Sequence, residues 1–280
     1  MVKKSLLAAA VLFGLYAFFI GHFRPQLSVS RQQWQDNQIR AEKYLYDNPG
    51  ARRVLVGSSL SARLDPLPGV YNLALSGQSV LDGLAIVSAA GRPLETVYVE
   101  MNVLDRGEDH NFIQGLRNPI LDRGRRMFLA LRADKQPLSI LAEKTQTALT
   151  PLVERLTPAA PAGAANPGGT ALFAKMLDNQ QRLYAAVPPE LPANFAALRG
   201  YVQALRARGT RVVFYEMPVQ APLCRTAKAD AIRAQFARQF PPAAYRYVAL
   251  PACGDYQTMD GVHLNSESAA RYTRYLQAHL

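Results

Sequence analysis

The sequence predicts an α/β fold in which helices cover both faces of a parallel β-sheet. Short apolar segments rich in β-branched and aromatic residues recur along the chain, as is typical of buried strands. They alternate with segments whose apolar residues have helical spacing, and this alternation is typical of parallel sheets. A long apolar run at the N-terminus predicts a transmembrane helix ahead of this domain.

Length and charge narrow the possible classes of protein. The chain has 280 residues, of which 49% are hydrophobic, so it can form one sizeable α/β domain with a short appendage, or two small domains. Its 32 Lys and Arg residues outnumber 21 Asp and Glu, which gives a formal charge of +11 and favours anionic partners. The sequence has no zinc-finger, RNA-recognition or basic-zipper motif, so nucleic acid is not an expected partner.

Residues 1–24 are predicted to form a membrane anchor. Lys3 and Lys4 precede the apolar run Ser5–Gly21, whose length is at the lower limit for a spanning helix. Bulky residues stand where a signal-peptidase site would need small ones, so an uncleaved signal anchor is favoured over a cleaved signal peptide. The two lysines predict a single pass through the inner (cytoplasmic) membrane, with the rest of the chain in the periplasm or other extracytoplasmic space.

Three regions follow the anchor in this interpretation. Residues 25–50 form a juxtamembrane segment, helical over Arg31–Tyr46, and the α/β domain occupies residues 51–280. An insertion interrupts this domain at about residues 118–195, with helices over Met127–Leu131 and Leu138–Leu152 and a Pro/Ala/Gly-rich loop over Thr157–Thr170. Strands are expected at Arg53–Val56, Val70–Leu75, Thr96–Glu100, Arg211–Glu216 and Tyr245–Leu250, and helices at Ser79–Ala90, Asn194–Arg208, Ala227–Phe240 and after Asn265.

Three residues after the predicted strands could carry chemistry. Ser59 follows a buried strand and Gly57, which places a hydroxyl at the carboxyl edge of the sheet, where functional groups gather. Gly57 tolerates a sharp turn, and a helix beginning after it would bring backbone N–H groups near the hydroxyl. Gly77 follows the second strand and can offer its N–H to the same cleft. Asn102 follows the third strand and can donate a hydrogen bond to a developing oxyanion.

Asp260 and His263 precede the last predicted helix. Their spacing on a tight turn lets the carboxylate fix the imidazole tautomer while the other ring nitrogen faces a hydroxyl. Ser59, Asp260 and His263 are therefore a candidate catalytic triad, because geometry and not chain order defines a triad. The sequence offers no cluster of three metal ligands at suitable spacing, so neither a metal nor another cofactor is expected.

Together, these residues resemble the sequence blocks of the SGNH (GDSL-type) hydrolase and acyltransferase superfamily. Gly-Ser-Ser-Leu at residues 57–60 is similar to the family's Gly-Asp-Ser-Leu block. Asn-Leu-Ala-Leu-Ser-Gly at residues 72–77 is similar to its Asn-x-Ala-x-Ser-Gly block. Asn102 matches the Asn of the third block, and Asp-Gly-Val-His at residues 260–263 matches the closing Asp-x-x-His.

The resemblance covers about residues 52–104 and 195–275 and implies an SGNH hydrolase fold, a flavodoxin-like three-layer sandwich with a central parallel sheet. It implies that Ser59 is the nucleophile, completed by Asp260 and His263. It also implies an oxyanion hole formed by the N–H groups of Ser59 and Gly77 and the side chain of Asn102.

Three positions depart from the family pattern. Ser58 replaces the usual Asp, Glu100 stands where the third block normally has Gly, and Val103 replaces a frequent Asp. Ser58 together with an N-terminal anchor is similar to the membrane-anchored SGNH-like proteins of surface-polysaccharide O-acylation, which serve beside a membrane-bound O-acyltransferase.

The implied function is that of a serine esterase or O-acyltransferase acting on acyl esters, first of all acetyl esters, of cell-envelope or exported polysaccharide. Its implied partners are this acylated polysaccharide or another ester substrate, the membrane, and a membrane-bound O-acyltransferase. The three departures keep open a non-catalytic module that binds glycan or docks onto such an acyltransferase.

The sequence also leaves open whether its two cysteines pair and whether a basic stretch binds a ligand. Cys224 and Cys253, its only cysteines, either form a disulfide in an oxidising compartment or stay unpaired. A basic stretch either binds an anionic glycan or the lipid surface, or is a solvated helix face. This stretch comprises Arg117, Arg123, Arg125, Arg126, Arg132 and Lys135.

Overall fold

The structure is a computed structural model that describes residues 2–23, 25, 33–137, 140 and 167–280. The chain divides into two compact units. The first falls within residues 1–47 and 114–164, and the second within residues 48–113 and 165–280.

The first unit contains the apolar N-terminal helix α1 (Val2–Phe23). This helix has 22 residues, and its length and composition suffice to span a membrane, although a signal sequence meets the same criterion. The predicted juxtamembrane helix is present over its described residues. Helix α1 is followed by α2 (Gln33–Glu42) and a π-helical turn (Lys43–Asp47). Helix α4 (His110–Arg117) begins in the second unit and ends in the first. The first unit then continues with α5 (Pro119–Met127) and 3-10 turns at Leu129–Leu131 and Ala133–Lys135.

The second unit is an α/β domain built on one five-stranded parallel sheet. The strands are β1 (Arg53–Gly57), β2 (Tyr71–Ala74), β3 (Thr96–Glu100), β4 (Arg211–Tyr215) and β5 (Arg246–Tyr247). They lie in the order β2-β1-β3-β4-β5, which is the order of flavodoxin-like sheets. The predicted α/β class with a parallel sheet is therefore confirmed. The edge strand β5 is shorter than expected, because only its two residues pair in register with β4.

The helices of this unit pack on both faces of the sheet. Because strand side chains alternate in direction, Val213 joins the core formed with Tyr272, whereas the Phe214 ring contacts Phe236 at a centroid distance of 5.1 Å. Tyr272 and Phe236 belong to different helices, so the sheet is the middle of three layers. The helices are α3 (Val80–Ala90), α6 (Pro167–Tyr184), α7 (Leu191–Ala207), α8 (Ala227–Gln239) and α9 (Ser266–His279).

The insertion departs most from the sequence-based expectation. The predicted loop Thr157–Thr170 is wrong at its end, because α6 already begins at Pro167. Proline fits the first turn of a helix, where its missing N–H would have no helical acceptor. The predicted helix over Met127–Leu131 is also wrong, since α5 ends at Met127 and a 3-10 turn follows. The predicted helix Leu138–Leu152, apart from Ile140, and residues 157–166 lie outside the described residues.

The carboxyl ends of four neighbouring strands meet at one edge of the sheet. Gly57 of β1 lies in register with Ala74 of β2, and Glu100 of β3 with Tyr215 of β4. The segments that follow these strands therefore emerge side by side. In open parallel sheets this edge is where ligands bind.

Candidate active site

Three side chains form a continuous hydrogen-bonded chain at this edge. The Oγ of Ser59 lies 2.8 Å from the Nε2 of His263, although the two residues are 204 positions apart. The Nδ1 of His263 lies 2.6 Å from the Oδ2 of Asp260. The side chains of His263 and Asp260 are 21% and 20% exposed, and Ser59 is also partly exposed. The structure thus brings together all three residues of the candidate triad, where an incoming molecule can reach them.

Asp260 holds the turn that presents His263. Its Oδ1 accepts the N–H groups of Val262 at 3.1 Å and His263 at 2.8 Å, while Oδ2 faces the imidazole. Partial burial opposes ionisation of Asp260, but hydrogen bonds from His263 and Val262 outweigh it and lower the pKa of the carboxyl group. An ionised Asp260 can keep the imidazole proton on Nδ1, which leaves Nε2 free to act on the Ser59 hydroxyl.

Gly261, between these two residues, is packed against α6. Its φ of +101° lies in the region that favours glycine. A Cβ at this position would lie 3.0 Å from the Cδ1 of Leu177 and 3.4 Å from the Cγ of Gln180. The Gly261 carbonyl also accepts the N–H of Gln220 at 2.9 Å. The turn is therefore fixed by a helix from the inserted region, a contribution for which the sequence carried no signal.

Ser59 lies on a short turn directly after β1. The hydroxyl of Ser58 accepts the N–H of Leu60 at 3.2 Å. Ser61–Arg63 then forms a single 3-10 turn. No regular helix follows Ser59 at this point, because the backbone is already extended at Leu64, and Pro66 and Pro68 disfavour a helix beyond it.

Glu100 lies beneath this turn and is 1% exposed. Its carboxylate accepts the N–H of Ser58 at 2.9 Å and the Ser58 hydroxyl at 2.7 Å. It also accepts the Ser61 hydroxyl at 2.5 Å, and the Oγ of Ser61 lies 2.7 Å from the hydroxyl of Tyr215. Complete burial raises the pKa of Glu100, although the hydrogen bonds from Ser61 and Ser58 oppose this effect. Two of the three departures from the family pattern, Ser58 and Glu100, are therefore direct partners.

The same carboxylate explains why residue 57 is glycine. A Cβ on Gly57 would lie 2.5 Å from the Oε2 of Glu100 and 2.8 Å from the Oγ of Ser61. Contacts this short cannot be accommodated without moving the turn. The signal for Glu100 was its charge at the end of an otherwise apolar strand, because a charged side chain is buried only with partners. Nothing in the sequence identified Ser61 or Tyr215 as those partners.

The three expected oxyanion donors differ in their contacts. Within the described part of the chain, the N–H groups of Ser59 and Gly77 donate to no protein acceptor. Asn102 is instead held by Met217, because its Nδ2 donates to the Met217 carbonyl at 2.9 Å and its Oδ1 accepts the Met217 N–H at 2.6 Å. The Asn102 amide keeps a second hydrogen for a substrate. Convergence of the three donors on one oxyanion stays a prediction.

Other sequence features take no part in this hydrogen-bonded chain of side chains. Val103, the third departure, packs against the core of the second unit. Cys224 and Cys253 are joined in a disulfide, the first of the two states left open above. Across the described residues, no group of three His, Cys, Asp or Glu side chains could hold a metal ion.

The basic stretch is largely neutralised within the first unit. Four of its cations have carboxylate partners. Arg117 and Arg123 form no ion pair with any described residue. The pairs are Arg125–Glu42 at 3.1 Å, Arg126–Asp122 at 2.9 Å, Lys135–Asp134 at 2.7 Å, and Arg132–Asp47. The stretch therefore does not present six free charges to one anionic ligand.

Comparisons with known proteins assign no family. No protein-family model matches the chain, and no curated protein matches it either. The functional assignment therefore rests on the geometry at the carboxyl edge of the sheet.

Proposed function

We propose that this protein is a membrane-anchored, extracytoplasmic serine esterase or O-acyltransferase of the SGNH type. Its proposed substrates are acyl esters, first of all acetyl esters, of cell-envelope or exported polysaccharide. The observation that carries the proposal is the hydrogen-bonded chain from Ser59 through His263 to Asp260. A hydroxyl, an imidazole and an ionised carboxylate in this sequence of contacts form the arrangement that activates a serine for attack on a carbonyl.

In the proposed reaction, His263 takes the hydroxyl proton as the Oγ of Ser59 attacks the ester carbonyl carbon. The carbonyl π electrons move to oxygen, and the N–H groups of Ser59 and Gly77 and the Asn102 amide donate to the resulting oxyanion. Asp260 stabilises the imidazolium. His263 then gives its proton to the departing alkoxide, which leaves an acyl group on Ser59.

The second half of the reaction releases the acyl group. His263 takes a proton from an incoming hydroxyl as its oxygen attacks the acyl carbonyl. The bond between the acyl carbon and the Oγ of Ser59 then breaks, and His263 returns the proton to this Oγ. Water as the incoming molecule makes the protein an esterase, and a sugar hydroxyl makes it an acyltransferase. The reaction needs no metal or other cofactor.

Fold and surroundings also support the proposal. The strand order agrees with the flavodoxin-like sandwich implied by the SGNH resemblance, and Ser59 follows the first strand at the edge where such sheets bind ligands. The apolar helix α1 supports a single-pass anchor in the inner membrane. The Cys224–Cys253 disulfide supports an oxidising compartment outside the cytoplasm.

Active-site labelling of the full-length chain in mild detergent tests the proposal. A fluorophosphonate should label the wild type covalently, and p-nitrophenyl acetate should be hydrolysed. Ser59→Ala should lose the label and at least about a thousandfold of the turnover, as is typical when a nucleophile is removed. Ser266→Ala is the matched control, because it removes an exposed hydroxyl at the start of α9. It should leave the labelling and the turnover unchanged.

Two outcomes would contradict the proposal. Equal labelling of Ser59→Ala would show that another residue is the nucleophile. Failure of the folded wild type to react with the probe or the ester would favour the non-catalytic alternative, a glycan-binding or docking partner of a membrane-bound O-acyltransferase.

A further inference from the structure

The first unit exposes a cluster of large apolar side chains close together in sequence. Ile120 is 81% exposed and Met127 is 64% exposed, and neither is covered by any described residue. Leu121, Phe128 and Leu131 are each more than 40% exposed. Soluble surfaces rarely leave so many large apolar side chains together in water, and such clusters mark contact with another protein or with a membrane.

Two members of the cluster, Ile120 and Met127, lie on the same side of the amphipathic helix α5. At helical spacing, Ile120, Gly124 and Met127 share one side of α5, whereas Asp122 points away from it. A Cβ on Gly124 would lie 3.1 Å from the Cδ1 of Leu131. The chain beyond α5 therefore folds back and adds Leu131 to the same apolar side.

Polar side chains on the other side of α5 form ion pairs and hydrogen bonds within the first unit. Arg125 pairs with Glu42 of α2 at 3.1 Å, and both side chains are almost buried. Asp122 accepts the Tyr46 hydroxyl at 2.9 Å. Because these polar groups have protein partners, the opposite side of α5 can face a nonpolar medium without leaving charges unpaired.

The apolar side is continuous with the helix that is long enough to span a membrane. The Phe128 ring packs against Phe13 at a centroid distance of 5.6 Å, and the Tyr16 hydroxyl donates to the Lys135 carbonyl. Gly21 is the last residue of the apolar run and therefore marks its outer end. Phe13 lies about 12 Å deeper along the helix axis, because an α-helix rises roughly 1.5 Å per residue. In a hydrocarbon core about 30 Å thick, this contact places Phe128 within the outer half.

We infer that α5 and the chain that follows it to Leu131 form a second membrane contact. They lie in the outer leaflet beside α1, with the apolar cluster among the lipid acyl chains. The partner is the lipid bilayer, because Phe128 touches α1 at the depth of the hydrocarbon core, where acyl chains surround any side chain that the protein itself leaves exposed. Arg123 flanks the apolar side at helical spacing and can meet a lipid phosphate. This inference requires that α1 is retained in the mature protein, and it does not depend on the proposed chemistry at Ser59.

Depth-dependent fluorescence quenching tests this contact on the full-length chain. Trp34 is the only tryptophan, so a Trp34→Phe background allows one reporter to be placed at a time. The reporters are Ile120→Trp and Met127→Trp in the cluster, Phe18→Trp in α1 as a positive control, and Leu172→Trp in α6 as a matched exposed control. Each variant is reconstituted into phosphatidylcholine–phosphatidylglycerol vesicles with and without lipids brominated in the middle of the acyl chain.

We expect brominated lipid to quench Ile120→Trp and Met127→Trp at least twofold, with blue-shifted emission, and to leave Leu172→Trp unchanged. If one cluster variant fails to fold, the other still decides. Quenching of the cluster reporters no stronger than that of Leu172→Trp would overturn the inference. An unquenched Phe18→Trp would overturn it as well, because α1 would then not lie in the bilayer.

Discussion

The Glu100 carboxylate accepts both the N–H and the hydroxyl of Ser58, at 2.9 and 2.7 Å, directly beneath the turn that carries Ser59. A buried carboxylate is stable only when its oxygens have donors, and Ser58 supplies two of them. The resemblance to SGNH proteins placed Asp and Gly at these two positions. The structure indicates that the two replacements depend on each other, because an Asp at position 58 would face a second carboxylate.

Ser58→Asp should therefore destabilise the protein, and Glu100→Gly should relieve part of the loss. Two buried carboxyl groups in contact cannot both ionise, and the substitution also removes the Ser58 hydroxyl that donates to Glu100, so we expect Ser58→Asp to lower the Tm by roughly 5 to 10 °C. Thermal unfolding of the full-length chain in mild detergent, followed by circular dichroism, measures this effect. If the Tm loss of the Ser58→Asp/Glu100→Gly double variant equals the sum of the losses of the two single variants, residues 58 and 100 do not interact as described.

Gly57→Ala should distort the Ser59 turn, because the new methyl group would lie 2.5 Å from the Glu100 carboxylate. We expect at least a tenfold loss in the rate of fluorophosphonate labelling. Gly50→Ala is the matched control, since a Cβ at Gly50 has no neighbour within 4 Å. Unchanged labelling of Gly57→Ala would mean that the turn tolerates displacement of Glu100.

The buried Glu100 should make stability depend on pH in a definite direction. Burial raises its pKa above the ordinary value of 4.5, so between these two pKa values the folded chain binds more protons than the unfolded chain. This contribution to stability is therefore fully present below the ordinary pKa and is lost as pH rises through the raised pKa. The Tm of the wild type relative to Glu100→Gln should fall as pH is raised from about 4.5 to 8. A difference that stays constant over this range would show that Glu100 does not titrate there.

Asp260→Asn should remove the negative charge beside His263 but keep the conformation of the turn. The amide oxygen can still accept the N–H groups of Val262 and His263, so the turn should persist. The negative charge that stabilises the imidazolium is lost, and we expect turnover of p-nitrophenyl acetate to fall by about 10⁴-fold. The Tm serves as the structural control. Full activity in a variant that melts like the wild type would remove Asp260 from the mechanism.

The Cys224–Cys253 disulfide should stabilise the second unit. It joins residues 29 positions apart, and closing a loop of this size is worth about 3 to 4 kcal/mol in the chain-entropy description. A reductant should therefore lower the Tm of the wild type by several degrees. The Cys224→Ser/Cys253→Ser variant should melt near the reduced wild type and should not respond to reductant. A wild type that melts alike with and without reductant would contradict this role.

Much of the second unit follows from local patterns. The strand Thr96–Glu100 has its predicted bounds, because β-branched and aromatic residues favour a buried strand. Helix α3 begins after Ser79, which caps it, and ends at Gly91 with a φ of +63°. Where the local signal was weak, the expectation failed. The Pro/Ala/Gly composition indicated a loop up to Thr170, yet α6 begins at Pro167 and packs against Gly261.

By itself, the sequence determined the alternation of strands and helices, the apolar N-terminal segment, and which hydroxyl, imidazole and carboxylate were worth considering together. Those properties depend on composition and on spacing along the chain. Only the tertiary structure decided that Ser59 lies 2.8 Å from His263 and that Glu100 holds the turn before it. These relationships depend on the register of parallel strands and on packing between residues far apart in sequence, and separation along a chain does not specify distance in space.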